Sequence, residues 1–376
     1  MLRNGQTPSA ARGLEGVIAL ETALCDIDGQ KGELIYCGYD IRDLARNATF
    51  EEVTFLLWNG RLPSPEETER LASDLAAERK LPPMVMDVLR AIPEDAEPMA
   101  ALRTCVSVLS LFDGEADDAS EAANRRKATR LAARIPVIIA AFDRSRKGLD
   151  VIDPLGVGST AHNFLYMLSG EGPGEAAERA FDACLVLHAE HGLNASTFAA
   201  RVIGATLSDI YSAVTGAIGA LKGPLHGGAN IRVMEMLERI DRSDRSAAEY
   251  VGDLLARKER VMGFGHRVYK TVDPRASILR DMLDGLSRER ETRKWYEMSL
   301  EIMEAMKSEK GLYPNVDFFS ASVYGTLAIP TDLFTPIFAA ARISGWTAHL
   351  LEQWKDNRLI RPRAAYVGPR GLTTAR

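Results

Sequence analysis

The chemistry-bearing residues of this chain gather in a few short segments, and the one around His226 says the most. Lys222-Gly223-Pro224-Leu225-His226-Gly227-Gly228-Ala229-Asn230 surrounds one imidazole with small and rigid residues and leads straight into the amphipathic run IRVMEMLERI. That order puts His226 at a helix N-terminus. The positive end of the helix dipole disfavours imidazolium there, so the ring would stay neutral and could donate a hydrogen bond to a carbonyl that is becoming an enolate. A glycine-rich turn with an incidental histidine reads equally well from the same residues. His266 stands in Val261-Met262-Gly263-Phe264-Gly265-His266-Arg267-Val268-Tyr269-Lys270, with Arg275 following in Asp273-Pro274-Arg275. Glycines on both sides of Phe264 would let backbone amides approach a ligand closely. The segment is neither a Walker loop nor a GxGxxG fingerprint, and the charged, helical LLARKER precedes it instead of a strand, so a dinucleotide-binding reading fails.

Asp317, in Tyr313-Pro314-Asn315-Val316-Asp317-Phe318-Phe319-Ser320, follows a proline turn and enters an apolar, aromatic setting. Desolvation would raise its pKa and strengthen it as a base, although a helix-capping aspartate is the commoner use of the residue. Arg342 falls in LFTPIFAAARISGW and Arg361 in LIRPR. An arginine among apolar neighbours needs an anionic partner, either structural or a substrate carboxylate. His188 and His191, in LHAEHG, stand one helical turn apart with Glu190 between them, a spacing that could present two imidazoles to a metal. A zinc site needs more ligands and HExxH is absent, so no metal is expected. His162 and His349 read as packed or surface histidines of ordinary helices.

The elements that must position these groups are mostly helical. Apolar stretches around Val17 to Leu24 and Leu34 to Tyr39, split by Asp28-Gly29-Gln30-Lys31-Gly32, predict a small N-terminal hairpin. From there the signals are helical. Thr49-Phe50-Glu51-Glu52 is a capping box, with Gly60 ending the helix, and Ser64-Pro65-Glu66-Glu67 opens another that runs to Lys80 before Pro82 and Pro83. Further helices are predicted at 98–112, 121–146 with a kink at Pro136, 159–169, 174–190, 196–221, 230–240 and 246–258. The last four are 274–285, 290–308, 317–327 and 331–356.

A length of 376 residues suggests about two domains at roughly 100 to 200 residues each. No period of helical repeats is present. Apolar residues make up 46% and charged residues 26%, which argues against disorder, and a net charge of -6 without a long basic block excludes the footprint of a nucleic-acid binder. MLRNGQTPSAARG has no apolar core of a secretory signal and no window has about 18 consecutive apolar residues, so a soluble, cytoplasmic protein without membrane contact is expected. Cys25, Cys37, Cys105 and Cys184, scattered without a CxxC pair, read as unpaired thiols of the core.

Taken together and in this order, GPLHGGAN, GFGHRVYK with DPR, NVDFFS and FAAARISGW resemble the citrate synthase family over nearly the whole chain. LEGVIALET, DIDGQKGELIYCGYDI, LHAEHGLNAST and FFSASVYGTLAIPTDLFTPIF are similar to the short citrate synthases of Gram-positive and thermophilic bacteria. The resemblance implies a mostly α, two-domain homodimer with a small N-terminal β-hairpin. Its large domain would be 1–223 plus 329–376 and its small, CoA-side domain 224–328, with the site in the cleft. It also implies an acyltransferase of the tricarboxylic acid cycle that condenses acetyl-CoA with oxaloacetate and needs no cofactor, acetyl-CoA being a substrate.

In that family pattern Asp317 matches the base that deprotonates the acetyl methyl group, His226 the neutral donor to the enol, and His266 the acid that protonates the oxaloacetate ketone. Arg275, Arg342 and Arg361 match the oxaloacetate arginines, Arg361 coming from the other subunit. Bidentate guanidinium groups suit a dicarboxylate. His191 matches a further oxaloacetate ligand, Phe338 an aromatic residue of the pocket, and Ser196 with Asn194 supporting polar groups. Val261, Met262, Gly263, Phe264 and Gly265 match the adenine-binding loop. Lys270 replaces a phosphate-binding arginine of the animal enzymes, which keeps the charge and loses the fork. Lys258 and Arg260 lie nearby without an assigned contact. The short form implies no control by NADH. The nearest other reading is 2-methylcitrate synthase, which takes propionyl-CoA. Readings of another class are a catalytically silent helical scaffold and a metal-dependent hydrolase built on His188 and His191.

Overall fold

The Asp28–Gly32 turn folds back a hairpin, but on a later first strand than the apolar stretches predict. In the computed structural model, which describes residues 11–265, 268–269 and 271–374, β1 is Cys25–Asp28, β2 Glu33–Tyr36 and β3 Tyr39–Asp40. The sheet is antiparallel in that order, with Cys25 opposite Tyr36 and Asp28 opposite Glu33. The turn sets this register. The Asp28 carboxylate accepts from the Gln30 and Lys31 amides at 2.9 and 3.0 Å, and the Gly32 amide donates to the Asp28 carbonyl at 2.9 Å. Pairing must therefore begin at Asp28. Residues 17–24 are left outside the sheet, with Val17 and Ile18 exposed, and Val17 to Ala23 line a cavity of about 880 Å³ together with Glu352, Gln353 and the segment from Arg358 to Pro362.

Sixteen α-helices follow among the described residues. The first five are α1 (Ile41–Asn47), α2 (Phe50–Asn59), α3 (Pro65–Glu78), α4 (Pro83–Ala91) and α5 (Pro98–Leu109). Thr49 with Glu52 and Ser64 with Glu67 form complete capping boxes, and Gly60 closes α2 at φ 74°. The second proline of Pro82-Pro83 starts a helix where only a stop is predicted. Pro83 occupies the first turn, where the missing N–H has no partner to lose.

α6 (Glu121–Arg146) continues through Pro136, whose ring is buried, and α7 (Thr160–Ser169) and α8 (Glu175–His188) come next. The single helix predicted over 196–221 is two, α9 (Ala195–Gly204) and α10 (Ile210–Leu221). Leu207 turns left-handed at φ 64°, and the Asp209 carboxylate caps α10 by accepting from the Ser212 amide at 2.9 Å. The rest are α11 (Ala229–Asp241), α12 (Ala247–Ala256), α13 (Pro274–Glu289), α14 (Lys294–Lys310), α15 (Val316–Thr326) and α16 (Phe334–Lys355). All four cysteines are free, but only Cys105 and Cys184 are core residues; Cys25 and Cys37 are half-buried at the edge of the hairpin.

A helix that is apolar on every side must run through the interior, and α16 does. Phe334, Ile337, Ile343, Trp346 and Leu350 point in different directions and all are buried, against α2, α6, α8, α9 and α10. A second packing centre is α15, held by α11, α13 and α14. The loop 261–265 is fastened to the start of α15. The Asn315 amide donates to the Gly263 carbonyl at 2.9 Å, its side-chain Nδ2 to the Gly265 carbonyl at 3.0 Å, and the Phe264 ring meets Phe318 at 4.8 Å. Gly263 makes this possible, because its φ is 81° and a Cβ there would lie 2.8 Å from Cβ of Phe318. Gly263→Ala is expected to cost about 1–3 kcal/mol in chemical denaturation. An unchanged midpoint would mean that the loop is not seated on α15.

Candidate active site

His226 lies in the turn between α10 and α11, three residues before the helix begins. The turn is rigid for steric reasons. A Cβ on Gly227 would collide with the Leu221 carbonyl, and the Gly227 carbonyl accepts from the Thr335 hydroxyl at 3.1 Å. The ring reaches across to α9, where its Nε2 meets the Ser196 amide at 3.2 Å and the Ser196 hydroxyl at 2.8 Å. An amide can only donate, so Nε2 carries the lone pair and the proton of the neutral ring falls on Nδ1. Ser196 is itself wholly buried, its hydroxyl accepting from Trp346 Nε1 at 3.1 Å and lying 2.8 Å from Asn194 Oδ1, the oxygen that caps α9. Burial, with the Arg342 charge adding to it, pushes His226 down to about 4. The imidazole is neutral, and its Nδ1–H donates to none of the described residues.

Asp317 is the second residue of α15 and does not cap it. Asn315 does, accepting from the Asp317 amide at 3.0 Å, so the capping explanation passes to its neighbour. The Asp317 carboxylate accepts no hydrogen bond from the described residues. Burial pushes it up to about 6, against the pull of the Arg275 guanidinium. Arg275 stands at the start of α13 and is almost fully buried. Its Nε and Nη2 bind Asp273 at 3.0 and 2.8 Å. Asp273 also accepts from the Val316 amide at 3.1 Å, which ties the first turn of α13 to the first turn of α15.

Arg342 is 1% exposed in the middle of α16. Its Nε donates to the His188 carbonyl at 2.6 Å and its guanidinium lies 4.8 Å from the Phe338 ring centroid, while its terminal nitrogens bond to none of the described residues. Phe338 in turn meets the rings of His188 at 5.0 Å and His226 at 6.4 Å. His188 Nδ1 donates to the Cys184 carbonyl at 2.7 Å, and burial pushes the ring down to about 3. His191, just beyond α8, packs its ring edgewise on Tyr269 at 5.8 Å. The two histidines of LHAEHG therefore face packed neighbours and a guanidinium. Among the described residues no group of three or more His, Cys, Asp or Glu side chains could hold a metal ion.

His226, Asp317, Arg275, Arg342, Phe338, His191, Ser196 and Asn194 thus come to one region from the turn after α8, from α9 and its cap, from α13, α15 and α16, and from the 223–228 turn. Val261, Met262, Gly263, Phe264 and Gly265 reach it through their clasp on α15. His266 and Lys270 lie outside the described residues. Arg361 is not part of this group within one chain; it is exposed in the C-terminal segment and lines the 880 Å³ cavity beside residues 14–23. Sequence reasoning gave no role to Asp273, Trp346 and Glu190, although each lies inside a quoted segment. Asp273 was legible only as the residue before a helix-opening proline.

The family model for the citrate synthase C-terminal domain matches residues 13–363. The chain is 55% identical to citrate synthase of Haloferax volcanii over 96% of each chain, and relatives described as 2-methylcitrate synthase, from Mycobacterium tuberculosis, match at 44% over 96% of this chain and 92% of theirs. Its fold superposes on the crystal structure of citrate synthase from Pyrobaculum aerophilum with a TM-score of 0.91, at 39% identity over 99% and 96% of the two chains. The Thermoplasma acidophilum citrate synthase, in ternary complex with carboxymethyl coenzyme A and oxaloacetate, superposes with a TM-score of 0.90 at 34% identity over 98% and 99% of the two chains. The chain belongs to the citrate synthase family. It is an enzyme of the citrate synthase type, a transferase of acyl groups. No described helix is long and apolar enough to cross a membrane.

Nitrogen NMR of the imidazoles should find His226 neutral with its proton on Nδ1 from about pH 5 to 8. A proton on Nε2, or a charged ring above pH 5.5, would show that the Ser196 amide does not face the lone pair.

Proposed function

We propose that the protein joins the methyl carbon of acetyl-CoA to the ketone carbon of oxaloacetate and hydrolyses the resulting thioester, releasing citrate and CoA at the entry of the tricarboxylic acid cycle. The observation that carries this reading is a neutral imidazole, His226, grouped with a raised carboxylate, Asp317, beside two buried guanidiniums. Removing a proton from a thioester methyl group requires a base stronger than an ordinary carboxylate and a donor that does not lose its own proton to the enol. Asp317 takes the proton. His226 donates from Nδ1 to the enol oxygen, its other nitrogen held by Ser196 and, behind it, Asn194. His266 protonates the ketone as the carbon-carbon bond forms.

Oxaloacetate is held by Arg342 and Arg275, by His191, and by Arg361 reaching across a homodimer, with Phe338 as an apolar wall. CoA lies along the backbone of Val261 to Gly265 with Lys270 toward its phosphates, and it enters as substrate; no cofactor or metal takes part. The division into 1–223 plus 329–376 and 224–328 puts the site between two bodies whose closure screens the enol from water. The protein works in the cytoplasm.

The second reading, propionyl-CoA as the acyl donor, rests on the relatives described as 2-methylcitrate synthase, which match at lower identity than several citrate synthases do. One methylene in an apolar pocket is worth only about 1–3 kcal/mol. Thiol titration of CoA release, with oxaloacetate and either acyl-CoA under identical conditions, decides between them. Faster release from acetyl-CoA is expected; preference for propionyl-CoA would move the product to methylcitrate, and no release from either would leave a silent scaffold.

Asp317→Asn should lower turnover by about 10²- to 10⁴-fold with oxaloacetate binding retained. The base must be ionised, so kcat/KM of the unaltered enzyme should fall about tenfold per pH unit below about 6 and level off above it. His226, already neutral, adds no second limb there. A profile flat from pH 5 to 8 would remove Asp317 from the proton transfer.

A further inference from the structure

Glu190, between the two histidines of the 188–191 turn, is wholly buried and belongs to no step described so far. Its backbone is clasped by one phenol: the Tyr36 hydroxyl donates to the Glu190 carbonyl at 2.6 Å, and the Glu190 amide donates to the same oxygen at 3.2 Å. Its side chain faces α16. Oε1 lies 3.2 Å from His349 Nε2, and His349 Nδ1 lies 3.0 Å from Arg201 Nη1. A guanidinium can only donate, so Nδ1 accepts and the His349 proton sits on Nε2, pointing at the carboxylate. Oε2 has no hydrogen-bond partner among the described residues and fills the space a side chain at Gly345 would need. Burial works against its charge, yet His349, the Arg342 guanidinium and the His191 amide hold the carboxyl below its ordinary range. The group is an anion.

This anion stands beside Arg342 without touching it. The same hypothetical Cβ on Gly345 that would collide with Oε2 lies 3.4 Å from Cδ of Arg342, and Glu190 forms no ion pair with the guanidinium. Arg275 is treated differently, since Asp273 takes two of its donors directly. We propose that Glu190 is a charge-balancing positioning residue: it offsets the buried cation of Arg342 while leaving its terminal N–H groups free, and so limits how tightly the site holds a polycarboxylate anion. The inference rests on the reading that oxaloacetate binds at Arg342 and Arg275. A fixed negative charge near a dianion weakens its binding and weakens that of a trianion more, so Glu190 favours release of the tricarboxylate product over retention.

The test is calorimetric titration of oxaloacetate and of citrate onto the full chain carrying Glu190→Gln, which keeps the shape and the acceptor for His349 and removes the charge. Glu190→Met, equally neutral and without an amide to satisfy, is the second variant. The expected result is a Kd for oxaloacetate lowered by about fivefold or more, a larger decrease for citrate, and a gain that shrinks as salt is raised. A merely structural role predicts the opposite sign, weaker binding with a lower melting temperature. Unchanged or weaker affinity in whichever variant folds, or failure of both to fold, overturns the proposal. Arg342→Ala is the control for the underlying reading. If it binds oxaloacetate as well as the unaltered chain does, the site assignment fails and the role of Glu190 falls with it; if it abolishes binding while Glu190→Gln does not tighten it, only the role of Glu190 fails.

Discussion

A guanidinium buried in the middle of an apolar helix, with its terminal donors left open, is the constraint around which this protein is arranged. Water cannot solvate Arg342, and an uncompensated cation in the interior would be strongly destabilising. The surroundings answer without consuming it. The His188 carbonyl takes Nε, the Phe338 face lies under the cation, and the Glu190 carboxylate sits close but out of contact. Each of these needs its own support. α8 must end where its last carbonyls can turn toward α16, Tyr36 must reach from β2 to hold the following turn, and Gly345 must be without a side chain. The hairpin, the central helix and the 188–191 turn are thus one solution to one electrostatic problem.

The two groups proposed to react are tuned by the same low-dielectric surroundings in opposite directions, because burial always penalises the charged form. For the imidazole of His226 that means a lower pKa and for the carboxylate of Asp317 a higher one. A donor that stays neutral and a base that has gained strength follow from one physical cause. Hydrogen bonding then divides the roles further. Ser196 occupies Nε2 of the histidine, whereas among the described residues none donates to the aspartate carboxylate to stabilise its anion.

Much of this was legible in the residues. Small residues around His226, a proline turn before Asp317 and an arginine inside an apolar run are local signals, and the helix boundaries marked by Thr49, Ser64 and Gly60 lie where their side chains and backbone demand. The hairpin's first strand was misread because hydrophobicity was followed and not the turn, whose Asp28 hydrogen bonds dictate the register. The helix over 196–221 was misread because one aspartate at a cap looks like any surface charge in a helical run. Glu190 and Asp273 were invisible as functional residues for another reason. Their importance lies in contacts with residues more than a hundred and about forty positions away, which no local pattern encodes.

The clasp of Asn315 on the loop 261–265 makes that loop and the first turn of α15 a single mechanical body. It behaves as a lever with a short arm. If the loop holds CoA as proposed above, a pull on its carbonyls or amides would be passed through Asn315 to the turn that carries Asp317, so that grasping one end of the substrate would be felt at the other.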